Sequence, residues 1–258
     1  MSLRLTILGC GTSGGVPRIG GFEGKGVWGD CDPNEPRNRR RRCSVLVQQD
    51  DTTVLVDTSP DCRDQLIAAQ VSRLDAVIWT HEHADQCHGI DEPRALALHQ
   101  GAIDGWADER TMEVLLRRFG YCFSTEAAGL YNPIYKPRLI DGPFAIGPIG
   151  VIPFQQDHGT IQSLGFRFGP IAYANDVVRL DEAALQAMEG VEILVVDAMR
   201  YRPHPTHAHV ARALEWVARI RPRRAVLTNL HVDLDYRTLC EELPSGVEPA
   251  YDGMVLEA

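Results

Sequence analysis

The chain has 258 residues, with 26 Lys and Arg against 35 Asp and Glu for a net charge of −9, and is 44% hydrophobic and 24% charged. That length supports one large domain with a substantial core, here taken as residues 1–258, and the composition is ordinary for a soluble globular protein. The acidic balance lacks the basic footprint that tight binding of long nucleic acid needs, yet leaves room for a small phosphorylated substrate in a locally positive cleft.

Met1-Ser2-Leu3 runs directly into a strand, with no charged-then-apolar leader, and no apolar stretch approaches membrane-spanning length. The seven cysteines, at 10, 31, 43, 62, 87, 122 and 240, are odd in number, scattered and without a CxxC pair. They read as reduced, mostly structural thiols, and together these features predict a cytoplasmic protein with no membrane contact.

Leu3 to Leu8 reads as a strand, followed by the glycine-rich turn Gly9 to Pro17 and a polar loop from Arg18 to Arg42. That loop ends in four arginines, Arg39 to Arg42, which suit either a substrate phosphate or a solvated loop. Cys43 to Gln48 and Thr53 to Asp57 form two strands around a turn, and Asp61 to Ala69 looks helical. Ala76 to Trp79 is a short buried strand that delivers Thr80-His81-Glu82-His83-Ala84-Asp85-Gln86-Cys87-His88-Gly89. Alternate residues of an extended segment point the same way, so His81, His83 and Asp85 can converge, and imidazole and carboxylate are ligands for zinc, manganese or iron.

Ile90 to Gln100 and Glu109 to Phe119 are predicted helices, while 121–142 reads as an irregular rim or lid with no assigned chemistry. The second half repeats strands that end in polar residues: Gly150 to Phe154 leads to His158, Ile171 to Ala174 to Asp176, Ile193 to Val196 to Asp197, and Arg224 to Thr228 to Asn229 and His231. Leu164 to Phe168 pairs with the strand at Ile171, and His209 to Ile220 is a clear helix. Two halves of similar order predict an α/β fold, a four-layer αββα sandwich.

This order of His81, His83, Asp85, His158, Asp176 and His231 at strand ends resembles the metallo-β-lactamase superfamily, whose pattern is His-x-His-x-Asp-His followed by later His, Asp and His. The opening Gly9 to Pro17 and the closing Tyr251-Asp252-Gly253-Met254 look like its phosphodiesterase branch, the phosphoribosyl 1,2-cyclic phosphodiesterases in particular. The resemblance implies one metal at His81, His83 and His158, with Asp176 bridging to a second metal that also takes Asp85. Two such ions (Zn or Mn) would supply an activated hydroxide for attack on a phosphodiester. His207 falls at the family's catalytic His and is expected as general acid, with Asp85 in the catalytic set beside it. His204 and His209 read as exposed loop residues, and His99 as a helix-face residue.

Gln86 and Asn229 stand where the family pattern has two histidines of the second metal, each with a His two residues on, His88 and His231. One expectation is a rearranged second site using His88 and His231. The other is a mononuclear enzyme in which both only bond substrate. The family's structural zinc is not expected, because the loop keeps only Cys31 and Val232 stands at the C-terminal ligand position. Asp57 is placed to orient a ligand His, with weaker cases for Asp197 and Asp252. Cys87 reads as a buried spacer.

The expected activity is hydrolysis of a small cyclic or sugar phosphodiester. The alternatives are a thioester or lactone hydrolase of the same fold, or a non-catalytic accessory protein of cofactor biosynthesis. Whether the chain is a monomer or a homodimer stays open.

Overall fold

In the computed structural model, which describes residues 2–123 and 132–258, period-two alternation sorts side chains onto the faces of two seven-stranded sheets. The first sheet begins with β1 (Arg4–Gly9), β2 (Ser44–Gln49) and β3 (Thr52–Val56), all antiparallel. Parallel to β3 come β4 (Ala76–Ile78), β5 (Ile103–Ala107) and β6 (Tyr135–Leu139). The second sheet opens with the antiparallel β7 (Phe144–Ile146), β8 (Ile149–Asp157), β9 (Gln162–Phe168) and β10 (Ile171–Ala174). It continues in parallel with β11 (Ile193–Asp197), β12 (Arg224–Thr228) and β13 (Val247–Pro249). The C-terminal β14 (Val255–Glu257) returns to pair with β1.

In β2, Val45 and Val47 face the opposite sheet while Leu46 faces helices; in β3, Val54 and Val56 face in and Leu55 out. Phe166, Phe168, Tyr173, Val195 and Val226 meet the inward set from the second sheet. Helices cover both outer faces. On the first sheet lie α1 (Cys62–Ala68), α2 (Ala84–Cys87), α3 (Arg94–Gln100) and α4 (Glu109–Phe119), which cluster with Leu46, Leu55 and Val77. On the second lie α5 (Glu182–Ala187), α6 (Val210–Ile220) and α7 (Tyr236–Glu242). This is the expected αββα sandwich.

Within 121–142, read as irregular, residues 124–131 lie outside the described residues, but Tyr135–Leu139 forms β6. Its Tyr-Lys-Pro-Arg-Leu sequence conceals a strand, because Pro137 is tolerated at the sheet edge that β6 occupies. The helix expected from Ile90 begins only at Arg94, with Pro93 as its N-cap. Among the described residues no helix is long and apolar enough to cross a membrane. All seven cysteines are free, and only Cys240 is exposed.

Candidate metal centre

β3, β10 and β12 each run parallel to at least one neighbour, β4 for the first and β11 for the other two, and are followed by Asp57, Asp176 and Asn229, each in the left-handed region (φ 64°, 53° and 61°). Backbone turned this way is costly for residues with a Cβ, and it clusters at functional sites. The strained residues sit where loops from both sheets meet.

After β4 the chain bends at Thr80 and Glu82 and is extended at His83, so the alternation expected of a continuous extended segment holds only in part between His81 and His83. Asp85 departs from it, because His83 is the N-cap of α2 and Asp85 lies inside that helix. The loop is held against the turn after β3: Thr58 N donates to Gln86 O at 2.9 Å and Gly89 N to Thr58 O at 2.8 Å. A Cβ on Gly89 would lie 2.0 Å from Ser59 O, so glycine is required there.

His81, His83 and His158 bring their ring nitrogens together. His83 Nδ1 is 3.0 Å from His81 Nε2 and 3.3 Å from His158 Nε2. Ligand bonds of about 2.0–2.1 Å at the tetrahedral angle put nitrogens about 3.3 Å apart. His158 Nδ1 faces the Thr206 carbonyl oxygen at 2.8 Å, which can only accept, so its Nε2 carries the lone pair. His81 Nδ1 meets Thr80 Oγ1 at 2.9 Å, and that hydroxyl donates to Asp57 at 2.9 Å. Two lone pairs therefore converge on one point, and a divalent cation fits it. Burial, then the neighbouring imidazoles, holds His81 well below the usual histidine range. Burial, followed by the His207 charge, pulls His158 down to about 4. Both are neutral near pH 7, as ligands must be.

His158, Asp176 and His207 form an adjoining group. His207 Nδ1 lies 3.0 Å from Asp197 Oδ2 and 3.4 Å from Asp176 Oδ1. Burial opposes its charge, but Asp197, Asp176 and Asp85 outweigh burial and raise His207 to about 9. Asp176 is pushed up, chiefly by burial, against the pull of His207. Three carboxamides donate to it: Gln86 Nε2 and Asn175 Nδ2 to Oδ2 at 2.7 and 2.9 Å, and Asn229 Nδ2 to Oδ1 at 3.0 Å.

Asp85, His88 and His231 join neither group among the described residues. Asp85 Oδ2 accepts from Gln86 Nε2 at 3.3 Å. His88 is exposed, with its ring edge-on to Phe119 at 5.6 Å. His231 Nδ1 is paired with Asp233. Burial lowers His231 first, and the Arg18 and Arg200 charges lower it further against Asp233.

His204, read as an exposed loop residue, is half-buried with its ring 5.2 Å from His207. His209 is the N-cap of α6, and His99 is exposed on α3. Cys87 is buried, as a spacer would be. Asp252 lies away from the imidazoles and accepts from Arg41 Nε and N at 3.0 and 2.8 Å. Of the arginine run only Arg39 is exposed as a solvated loop would have it. Arg40 is buried and donates to the His231 and Leu234 carbonyls, Arg42 pairs with Asp61, and Arg39 lies over Trp28. The glycine turn lets this arginine segment pass close: a Cβ on Gly9 would lie 2.0 Å from Arg42 O. Cys31 and Val232 pack with Val16 in a small apolar cluster.

Sequence reasoning missed Thr80, Asn175 and the Thr206 carbonyl, and it saw Gln86 and Asn229 only as lost ligands. The clue for Thr80 was adjacency, a hydroxyl immediately before the first His of the motif.

A family model described as the beta-lactamase superfamily domain matches residues 52–229. A crystal structure described as a new diphosphatase from the PhnP family is 32% identical, with a TM-score of 0.90 over 100% of this chain and 98% of that one. The metallo-beta-lactamase fold protein YhfI from Bacillus subtilis shares the fold at 18% identity and a TM-score of 0.73, over 100% of this chain and 99% of its own. An octanoyltransferase from Porphyromonas gingivalis is 29% identical over 98% of this chain, and the match spans 51% of that protein, about half its length. The chain belongs to the metallo-β-lactamase superfamily, and within it to the phosphodiesterase branch typified by the PhnP family.

Proposed function

We propose that the protein is a metal-dependent hydrolase of small phosphodiesters or diphosphate-linked esters, with His207 giving the proton to the leaving oxygen. His81, His83 and His158 would hold the cation, with Asp176 beside it; Zn2+ and Mn2+ both suit such donors. A bound cation supplies Lewis acidity to a phosphoryl oxygen and activates water for attack. The protein's part is orientation and proton supply. Thr80 and the Thr206 carbonyl fix two ligand rings, and Asp197 fixes the His207 ring through Nδ1, leaving Nε2 to deliver its proton. The observation that carries this reading is the Asp197–His207 pair, whose imidazole ring stands 4.8 Å from that of His158. The nearby Arg18 and Arg200 charges favour an anionic substrate despite the net charge of −9.

The test is turnover of bis(p-nitrophenyl) phosphate, a five-membered cyclic phosphodiester and a diphosphate diester by Zn2+- or Mn2+-loaded and chelator-treated protein. Cation-dependent hydrolysis of any of these supports the reading. A folded, loaded protein inert to all three refutes it. The octanoyltransferase relative favours a second reading, hydrolysis of an acyl thioester, so an octanoyl thioester belongs in the panel. Turnover of that substrate alone would select it.

Thr80→Val removes the hydroxyl between Asp57 and His81 while keeping the side-chain shape. Losing a partner that orients a ligand His should weaken cation affinity about 10–100-fold. Competition against a chromophoric chelator measures this, with circular dichroism unchanged.

A further inference from the structure

In the family pattern Asp85 and Asp176 face a second cation, completed by histidines at the positions of Gln86 and Asn229. Here protein amides occupy that place. Gln86 Nε2 reaches Asp176 Oδ2 at 2.7 Å and Asp85 Oδ2 at 3.3 Å, so one amide spans both carboxylates. Asn229 Nδ2 takes the other Asp176 oxygen at 3.0 Å. An amide nitrogen donates protons and offers no lone pair to a metal. Gln86 Oε1 is buried without a hydrogen-bond partner, on the far side of an amide whose donors face the carboxylates. Turning that oxygen inward would set it against Asp85 and Asp176 and forfeit both hydrogen bonds. The two histidines nearest in sequence do not join Asp85 and Asp176 among the described residues: His88 is exposed against Phe119, and neither His88 nor His231 falls in a group of converging ligand atoms. The other group that could hold a cation, His158, Asp176 and His207, shares with the first the single free nitrogen of His158, so the two cannot be filled together.

We propose that this chain holds a single divalent cation, at His81, His83 and His158, and that the Gln86 and Asn229 amides replace the second by clamping Asp85 and Asp176. The inference rests on the reading above that the three imidazoles hold a cation. Gln86 and Asn229 are then positioning residues for Asp176, and the changes at the two positions are one coordinated change.

Metal content of the full chain, saturated with Zn2+ or Mn2+ and desalted, tests it. One ion per chain is expected for the wild type, and two for Gln86→His/Asn229→His. Two tightly held ions in the wild type would overturn the proposal. So would a folded double variant that still holds one. If the double variant misfolds, the Mn2+ spectrum of the wild type decides by itself: an isolated-ion hyperfine pattern supports the proposal, and an exchange-coupled one sinks it. Failure of the functional reading looks different, because a one-metal protein without hydrolysis leaves this inference standing and an active two-metal protein removes only this one.

Discussion

His207→Asn should slow hydrolysis of a phosphodiester with an alkoxide leaving group by about 10²–10⁴, the range for losing a positioned general acid. Asparagine is the informative replacement. Its amide can still donate to Asp197 Oδ2, now 3.0 Å from His207 Nδ1, so the fully buried Asp197 carboxylate keeps a partner. The same variant should hydrolyse bis(p-nitrophenyl) phosphate almost as fast as wild type, because p-nitrophenolate leaves without protonation. Equal losses on both substrates would assign His207 to the architecture rather than to proton delivery. The pH dependence follows with a definite sign. His207 is raised to about 9, burial being outweighed by Asp197, Asp176 and Asp85. The acid is therefore charged at neutral pH, and wild-type turnover of the alkyl substrate falls on the alkaline side as His207 loses its proton. His207→Asn should lack that limb.

The strands were legible as short apolar runs bounded by turns and polar residues, because both faces of each sheet are covered: Val45 and Val47 enter the inner core and Leu46 the outer, and Val54-Leu55-Val56 divide the same way. β6 was not, because an edge strand can carry Lys136, Pro137 and Arg138 without burying them. At the site, His81 and His83 were readable from spacing, and His158, Asp176 and His207 through the family pattern. The alternation expected to carry Asp85 beside the two histidines breaks immediately after His83, where the chain turns helical. The roles of Gln86 and Asn229 could not be read from composition. A missing ligand and a hydrogen-bond donor aimed at a carboxylate look identical in one dimension. Only the left-handed turns at Asp176 and Asn229, which bring the two side chains within 3.0 Å, separate the cases.

Trp79→Ala should cost about 3–5 kcal/mol, the range for emptying a buried aromatic site, and lower Tm by about 10 °C at about 2–4 °C per kcal/mol in a chain of this size. Trp79 is fully buried between the first sheet and its helices, edge-on to Tyr135 at 5.1 Å and near Phe123 at 6.1 Å. Gly105 on β5 makes room for the ring, since a Cβ there would lie 3.0 Å from it. The surrounding strands are hydrogen-bonded on both sides, so the cavity left by alanine cannot readily collapse. Trp79→Phe separates packing from polarity. It keeps an aromatic ring but loses the Nε1–H that donates to Thr58 Oγ1 at 2.9 Å, so it should cost far less, with a hydrogen-bond component of about 1 kcal/mol. Thermal unfolding of chelator-treated protein measures both changes without the contribution of cation binding. Trp79 is two residues before His81, and Thr58 also carries the backbone bonds to Gln86 and Gly89. The Trp79–Thr58 bond thus ties the end of β4 to the ligand loop. The phenylalanine variant should consequently lose cation affinity out of proportion to its small loss of stability, and a variant with affinity intact would show that the backbone bonds alone position the loop.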